Sequence, residues 1–127
     1  MNCITNGIEI SAETSYYAPQ SDPRAGFYFF VYQITISNKS SEPIQLVKRH
    51  WFITDALGEQ REVKGDGVVG ETPLIEPGDS FTYNSGCHFA TEIGKMKGFY
   101  TMRKPSDMSE LEVQIPEMLM VLPAKLN

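Results

Sequence analysis

Lys64 and the run Gly65-Asp66-Gly67-Val68-Val69-Gly70 form the sharpest local pattern in the chain. Glycines so spaced let backbone N–H groups approach phosphate oxygens closely, and Lys64 and Arg61 add positive charge. Gly65, Gly67, Gly70 and Lys64 are therefore the candidate residues for a phosphate-containing small ligand, such as pyrophosphate or a nucleotide polyphosphate. The dinucleotide form of this motif needs a strand before it and a helix after it. Here Val68-Val69 and then Pro73 and Pro77 follow, so no helix opens at the last glycine. Asp66, Glu62 and Glu71 also oppose an anion. The plainer reading is a tight connection between strands that needs positive φ.

Cys3, Cys87, His50 and His88 are the remaining groups suited to ligation or nucleophilic attack. No C-x-x-C or H-x-x-x-H spacing links them, and no carboxylate cluster stands out, so neither a metal nor a cofactor is expected. Cys87 and His88 are neighbours, whose side chains diverge on a strand. A Cys87 nucleophile needs a base within reach, oriented by a third group. Nothing around Cys87 supplies that pattern, and no catalytic residue is assigned. His50-Trp51 splits in the same way, with Trp51 as a core anchor and His50 as a hydrogen-bonded structural group. Glu110, Glu112 and Glu117 read as a solvated strand face.

The loop Tyr16-Tyr17-Ala18-Pro19-Gln20-Ser21-Asp22-Pro23 offers a different chemistry. Tyrosines on a loop present large contact area at low entropy cost. Tyr16, Tyr17 and Asp22 are the candidate residues for a protein partner. The end Met118-Leu119-Met120-Val121-Leu122 is apolar on both faces. It suits a buried last strand, or an edge open to strand addition by a partner or by a second copy as a homodimer.

These residues need strands to position them. Ile and Val outnumber Ala and Leu, and Phe, Tyr and Trp number 7, 6 and 1. Ile8, Ile10 and Ala12 alternate with polar residues in a first strand. Tyr16 to Gly26 reads as a loop. Phe27 to Asn38 is the strongest strand, with Tyr28, Phe30, Tyr32, Ile34 and Ile36 on one face. Phe27, Phe29 and Val31 load the start of the other face, so this strand belongs in the interior of a sheet. Ile44 to Asp55 and Glu59 to Lys64 form a hairpin through Gly58. Ser80 to Tyr83, Lys95 to Arg103 and Leu111 to Leu122 complete the set, with Pro116 marking a bulge or an edge. About seven to eight antiparallel strands and no helical period predict an all-β sandwich, read as a single domain over residues 1–127.

The charge balance narrows the function. Lys+Arg total 11 against 16 Asp+Glu, for a net charge of −5. Phosphate backbones call for clustered positive charge, so nucleic-acid binding is not expected. The longest uncharged stretch near the middle, Ala25 to Asn38, contains Gln33, Thr35 and Ser37 and does not suit a membrane span. Met1 to Asn6 has neither a basic region nor an apolar run, so a cytoplasmic location with reduced thiols is expected. The sequon Asn38-Lys39-Ser40 then carries no weight.

Taken in order, several motifs carry a family resemblance. They are Ser21-Asp22-Pro23; Phe30, Tyr32, Ile34, Ile36 and Asn38; Arg49-His50-Trp51; the Gly65–Gly70 run; Pro77-Gly78; Phe81 and Tyr83; Ser85-Gly86-Cys87; Met96-Gly98-Tyr100; and Ile115-Pro116. From about Ile8 to Leu122 the chain resembles the ApaG family, also called CorD. The resemblance implies an immunoglobulin-like or fibronectin type III-like sandwich without established catalytic residues. It also implies a link to cobalt and magnesium resistance, and a suggested phosphate or pyrophosphate ligand at the glycine run. Bacterial members are named alongside a diadenosine tetraphosphate hydrolase. The domain recurs in F-box proteins and in a protein that binds DNA polymerase delta, which implies protein–protein interaction. His88-Phe89 departs from the family, where Pro-Leu commonly follows the cysteine. The expected function is a non-catalytic binding module.

Overall fold

Alternation of apolar and polar residues gives almost every segment of this chain one face to bury, and the strands pair so as to bury those faces together. The computed structural model describes residues 1–123. Its strands are β1 (Asn2–Thr5), β2 (Ile8–Tyr16), β3 (Tyr28–Asn38), β4 (Ile44–Asp55), β5 (Gln60–Asp66), β6 (Leu74–Ile75), β7 (Ser80–Phe89), β8 (Ile93–Arg103) and β9 (Glu110–Val121). One sheet runs β1-β2-β3-β7, and the other β5-β4-β8-β9 with β6 also on β4. All pairings are antiparallel. The result is an all-β sandwich of the fibronectin type III-like kind. Ile8, Ile10, Phe30, Ile34 and Ile36 of the first sheet meet Leu46, Trp51, Tyr100, Met102, Val113 and Met118 of the second.

The described residues hold nine strands, against the expected seven to eight. The additions are β1 and β6, of 4 and 2 residues, too short to show a period. Tyr16 closes β2 rather than opening the loop, and its ring packs on the core. The loop itself winds through two single-turn 3-10 helices, Ala18–Gln20 and Pro23–Ala25. The two-sided apolar strand β3 lies inside its sheet, between β2 and β7.

Two bulges re-aim side chains. In β4, Leu46 pairs Met102 while Lys48 pairs Thr101, so Val47 is the extra residue. Ile44 and Leu46 are buried before it, and Trp51 and Ile53 after it. The bulge thus exchanges the parity of the strand and turns Arg49 toward the interior. In β9 the register shifts opposite Met96 and Gly98, between Ile115 and Met118. Pro116 therefore sits at a bulge, on an edge strand.

The sandwich is closed along one side and open along the other. Where β1 meets β9, Cys3 Sγ donates to Gln114 O at 3.1 Å and Gln114 N–H donates to Thr5 Oγ1 at 3.3 Å. On the opposite side the edge strands β5 and β7 are bridged by Arg61. Asn38, the buried polar residue at the end of β3, donates through Nδ2 to Glu42 O and Ile75 O at 2.8 and 2.9 Å. Its Oδ1 accepts from Ser40 N–H and Oγ.

Candidate functional site

The open side holds a cleft of about 470 Å³ between β5 and β7. Tyr32, Arg49, Trp51, Arg61, Ser85 and Cys87 line it. Arg49 reaches it through the Val47 bulge. Its Nη1 donates to Asp66 O and Gly67 O, both at 2.9 Å. Arg61 Nη2 donates to His88 O at 2.6 Å and to Cys87 Sγ at 3.2 Å, with the guanidinium 6.0 Å from the Phe89 ring centroid. Among the described residues, neither guanidinium has a carboxylate within ion-pair distance. The Tyr32 ring packs edge-on to Trp51 at 5.7 Å, and the Tyr83 and Tyr100 hydroxyls share a hydrogen bond beneath.

Burial sets the protonation of these groups. It pushes the Tyr32 and Tyr83 phenols up, offset in part by hydrogen bonds with Ser85 and Tyr100 respectively and less by Arg49. Tyr100, enclosed and beside Tyr83, lies well above the ordinary tyrosine value. Burial also pushes the Cys87 thiol up, against the pull of Arg61. Cys87 is thus a protonated thiol at neutral pH, unlike an activated nucleophile.

Each glycine of the motif answers a steric demand. A Cβ on Gly65 would stand 2.7 Å from Arg49 Nη2. Gly67 has φ +61°, and a Cβ there would collide with Glu71 O. Val69 and Gly70, at φ +44° and +80°, form the tip of a two-residue hairpin. Its ends bond reciprocally, Val68 N–H to Glu71 O at 2.8 Å and Glu71 N–H to Val68 O at 2.9 Å. Gly67 N–H donates to Val47 O at 2.9 Å. Three amides of the segment are therefore committed to backbone carbonyls. Lys64 and Arg61 point to opposite faces of β5: Lys64 is across from His50, and Arg61 from the buried Ile53. Lys64 stays out of the cleft that Arg61 lines and instead borders a separate surface space with Lys48, Arg49, His50 and Gly65.

Tyr16, Tyr17 and Asp22 also part company. Tyr16 packs edge-on to Phe30 at 5.4 Å. Asp22 shapes the loop through its backbone, donating to Phe27 O at 2.7 Å and accepting from Phe27 N–H at 3.0 Å. Tyr17 is 40% exposed and heads an aromatic row on the outer face of the first sheet. Its centroid lies 6.3 Å from Phe29; Phe29 lies 6.5 Å from Phe27, and Phe27 lies 5.2 Å from His88. Phe27 is 37% exposed. Gly86 makes the row possible, because a Cβ there would run into the Phe29 ring. In the sequence Phe27 and Phe29 marked only an interior strand. His88 joins them only through the β3–β7 pairing.

The other reactive groups stand apart. Cys87 faces inward while His88 stacks outside on Phe27. His50 Nε2 lies 3.0 Å from Glu62 Oε2, with its ring against Phe52 and Phe99 on the outer face. Trp51, 3% exposed, is the inward anchor. Glu110 pairs with Arg103 at 2.7 Å on the surface. Among the described residues, no three His, Cys, Asp or Glu side chains gather as a metal site, and no helix is long and apolar enough to cross a membrane.

The family model for the ApaG domain matches residues 18–104, a span that holds the cleft, the glycine turn and the aromatic row. The chain belongs to the ApaG domain family. It is 45% identical to Protein ApaG of Brucella canis over 122 residues, covering 96% of this chain and 93% of that one. Identity to Protein ApaG of Brucella anthropi is 48% over 120 residues, covering 94% and 92%. A crystal structure of a Bordetella pertussis protein described as ApaA superposes with a TM-score of 0.87 at 40% identity, covering 96% and 95%. In this ApaG domain β1, β2 and β9 lie outside the matched span and form the closed side of the sandwich.

Proposed function

We propose that this ApaG domain is a non-catalytic binding module that docks a protein partner on the Tyr17–Phe29–Phe27–His88 row. The observation that carries the reading is the row itself. Its rings reach the surface, yet Phe29 and His88 face each other across the paired strands β3 and β7, Phe27 is fixed by its bridge to Asp22, and Gly86 seats the Phe29 ring. Rigid aromatic area of this kind loses little entropy on binding and supplies the anchors that dominate protein interfaces. The separation of Cys87 from His88 and the protonated state of Cys87 support a role without covalent chemistry. The link to cobalt and magnesium resistance implied by the family resemblance is then an indirect one, running through the partner.

The test is site-specific photo-crosslinking in cells. A crosslinker replacing Phe27 should give discrete adducts, whereas one replacing Lys97, on the outer face of the other sheet, should not. Phe29→Ala together with Tyr17→Ala should remove a partner captured by the wild-type protein. Equal adducts at positions 27 and 97 sink the proposal. An adduct with twice the chain's mass identifies a second copy as the partner.

A further inference from the structure

The cleft between β5 and β7 has a use that the aromatic row does not share. Its donors come from four strands: Arg49 on β4, Tyr32 on β3, Ser85 on β7 and Arg61 on β5. Arg49 is half-buried, and its Nη1 is held by two carbonyls. A guanidinium carries five N–H groups in one plane, so Nη2 and Nε retain donors. Elsewhere on the second sheet Arg103 pairs with Glu110 and Lys64 with Glu62. In a chain of net charge −5, the two cleft arginines are the ones facing an aromatic floor without a carboxylate among the described residues. A second space, about 240 Å³, joins Arg49, Tyr32 and Ser85 to the Val68–Gly70 turn. At its edge Val69, β-branched, is held at φ +44°. Strain of that kind clusters at ligand clamps.

We infer that this cleft binds a small organic phosphate. The phosphate group lies against the free edge of the Arg49 guanidinium and takes hydrogen bonds from the Tyr32 and Ser85 hydroxyls, which give up their mutual hydrogen bond to it. Three donor groups from three strands suit a tetrahedral oxyanion, and the planar fork of arginine matches two of its oxygens. The organic body runs along Trp51 toward Arg61. A space of about 470 Å³ is within the range of small-ligand sites. The anion is held by side chains inside the sandwich, with no contribution from the glycine amides or from Lys64.

Trp51 is the only tryptophan, so its fluorescence reports on the cleft directly. The experiment titrates the full chain with AMP, inorganic phosphate, pyrophosphate and benzoate. AMP should give a saturable change in Trp51 emission. Arg61→Gln and Ser85→Ala should each weaken it several-fold, and Arg49→Lys by about tenfold through loss of the fork. Lys64→Gln, on the outer face, should leave it unchanged. No saturable change at millimolar AMP overturns the inference, as does equal weakening by Lys64→Gln. Phosphate or pyrophosphate binding as tightly as AMP overturns the organic body, and benzoate doing so overturns the phosphate. Arg61→Gln and Ser85→Ala leave the Arg49 ties to Asp66 and Gly67 intact, so their readout does not depend on refolding of the turn.

Discussion

Arg49 lies across Gly65, so that a methyl group on Gly65 would stand 2.7 Å from Nη2 and 2.9 Å from Nη1. The first glycine of the motif is thus a seat for a side chain of the neighbouring strand. That side chain in turn clamps the carbonyls of Asp66 and Gly67. The run acts as one unit with β4, and its glycines separate by what they face.

Gly65→Ala and Gly67→Ala should therefore differ. Gly65 meets the far end of a flexible side chain, so alanine displaces Arg49 and costs about 1 kcal/mol through the lost charged hydrogen bonds. Gly67 has φ +61° and meets backbone at Glu71 O. Alanine there combines left-handed strain with overpacking, about 3 kcal/mol in total, or about 10 °C in melting midpoint. Thermal unfolding of both variants checks the order. Equal losses would mean that Arg49 is as rigid as the backbone.

The buried tyrosines give the fold an alkaline limit. Tyr32, Tyr83 and Tyr100 all have phenols raised by burial. In the unfolded chain they ionise near pH 10. The stabilisation linked to their neutral forms is fully present below that pH. It is lost as pH rises toward their folded values, by about 1.4 kcal/mol per pH unit for each tyrosine. Urea unfolding should show a steep fall in stability above about pH 10. Tyr83→Phe combined with Tyr100→Phe should make that fall shallower, even though it lowers stability at pH 7. An unchanged alkaline slope would show that these phenols do not set it.

Asn38 ties three segments together at the end of β3. It is 1% exposed and bonds Glu42 O, Ile75 O and Ser40. Asn38→Ala leaves buried carbonyls without donors and should cost about 3 kcal/mol. Equilibrium urea unfolding should show a lower midpoint with an unchanged slope. A loss under about 0.5 kcal/mol would mean that water replaces the amide. The same burial leaves the Asn38-Lys39-Ser40 sequon without an accessible side chain.

The strands were legible wherever one face is buried over several residues, as in β3, β8 and β9. β1 and β6 were not, because 4 and 2 residues carry no period. The Val47 bulge did leave a trace: buried positions change from even to odd between Leu46 and Trp51. That change alone places Arg49 inside. Tyr17 was singled out from its loop, whereas Phe27 and Phe29 stood out only as apolar residues marking an interior strand. The meeting of Arg49, Arg61, Tyr32 and Ser85 was not legible. It depends on four strands from both sheets, and no spacing along the chain encodes it.

Val69 tests whether the turn is built for stability. Its φ of +44° is a left-handed conformation at the first tip position of a two-residue hairpin, followed by Gly70 at +80°. Asparagine is favoured there, and a β-branched residue is strained. Val69 is 53% exposed, so little packing offsets the strain. Val69→Asn should therefore raise stability by about 1 kcal/mol, or a few degrees in melting midpoint. If AMP binds as inferred, the same variant should weaken it, because the apolar tip borders the space beside Arg49. A gain in stability with unchanged AMP binding would place the strain outside the site. A loss of stability would mean that the valine side chain is held by contacts worth more than its backbone costs.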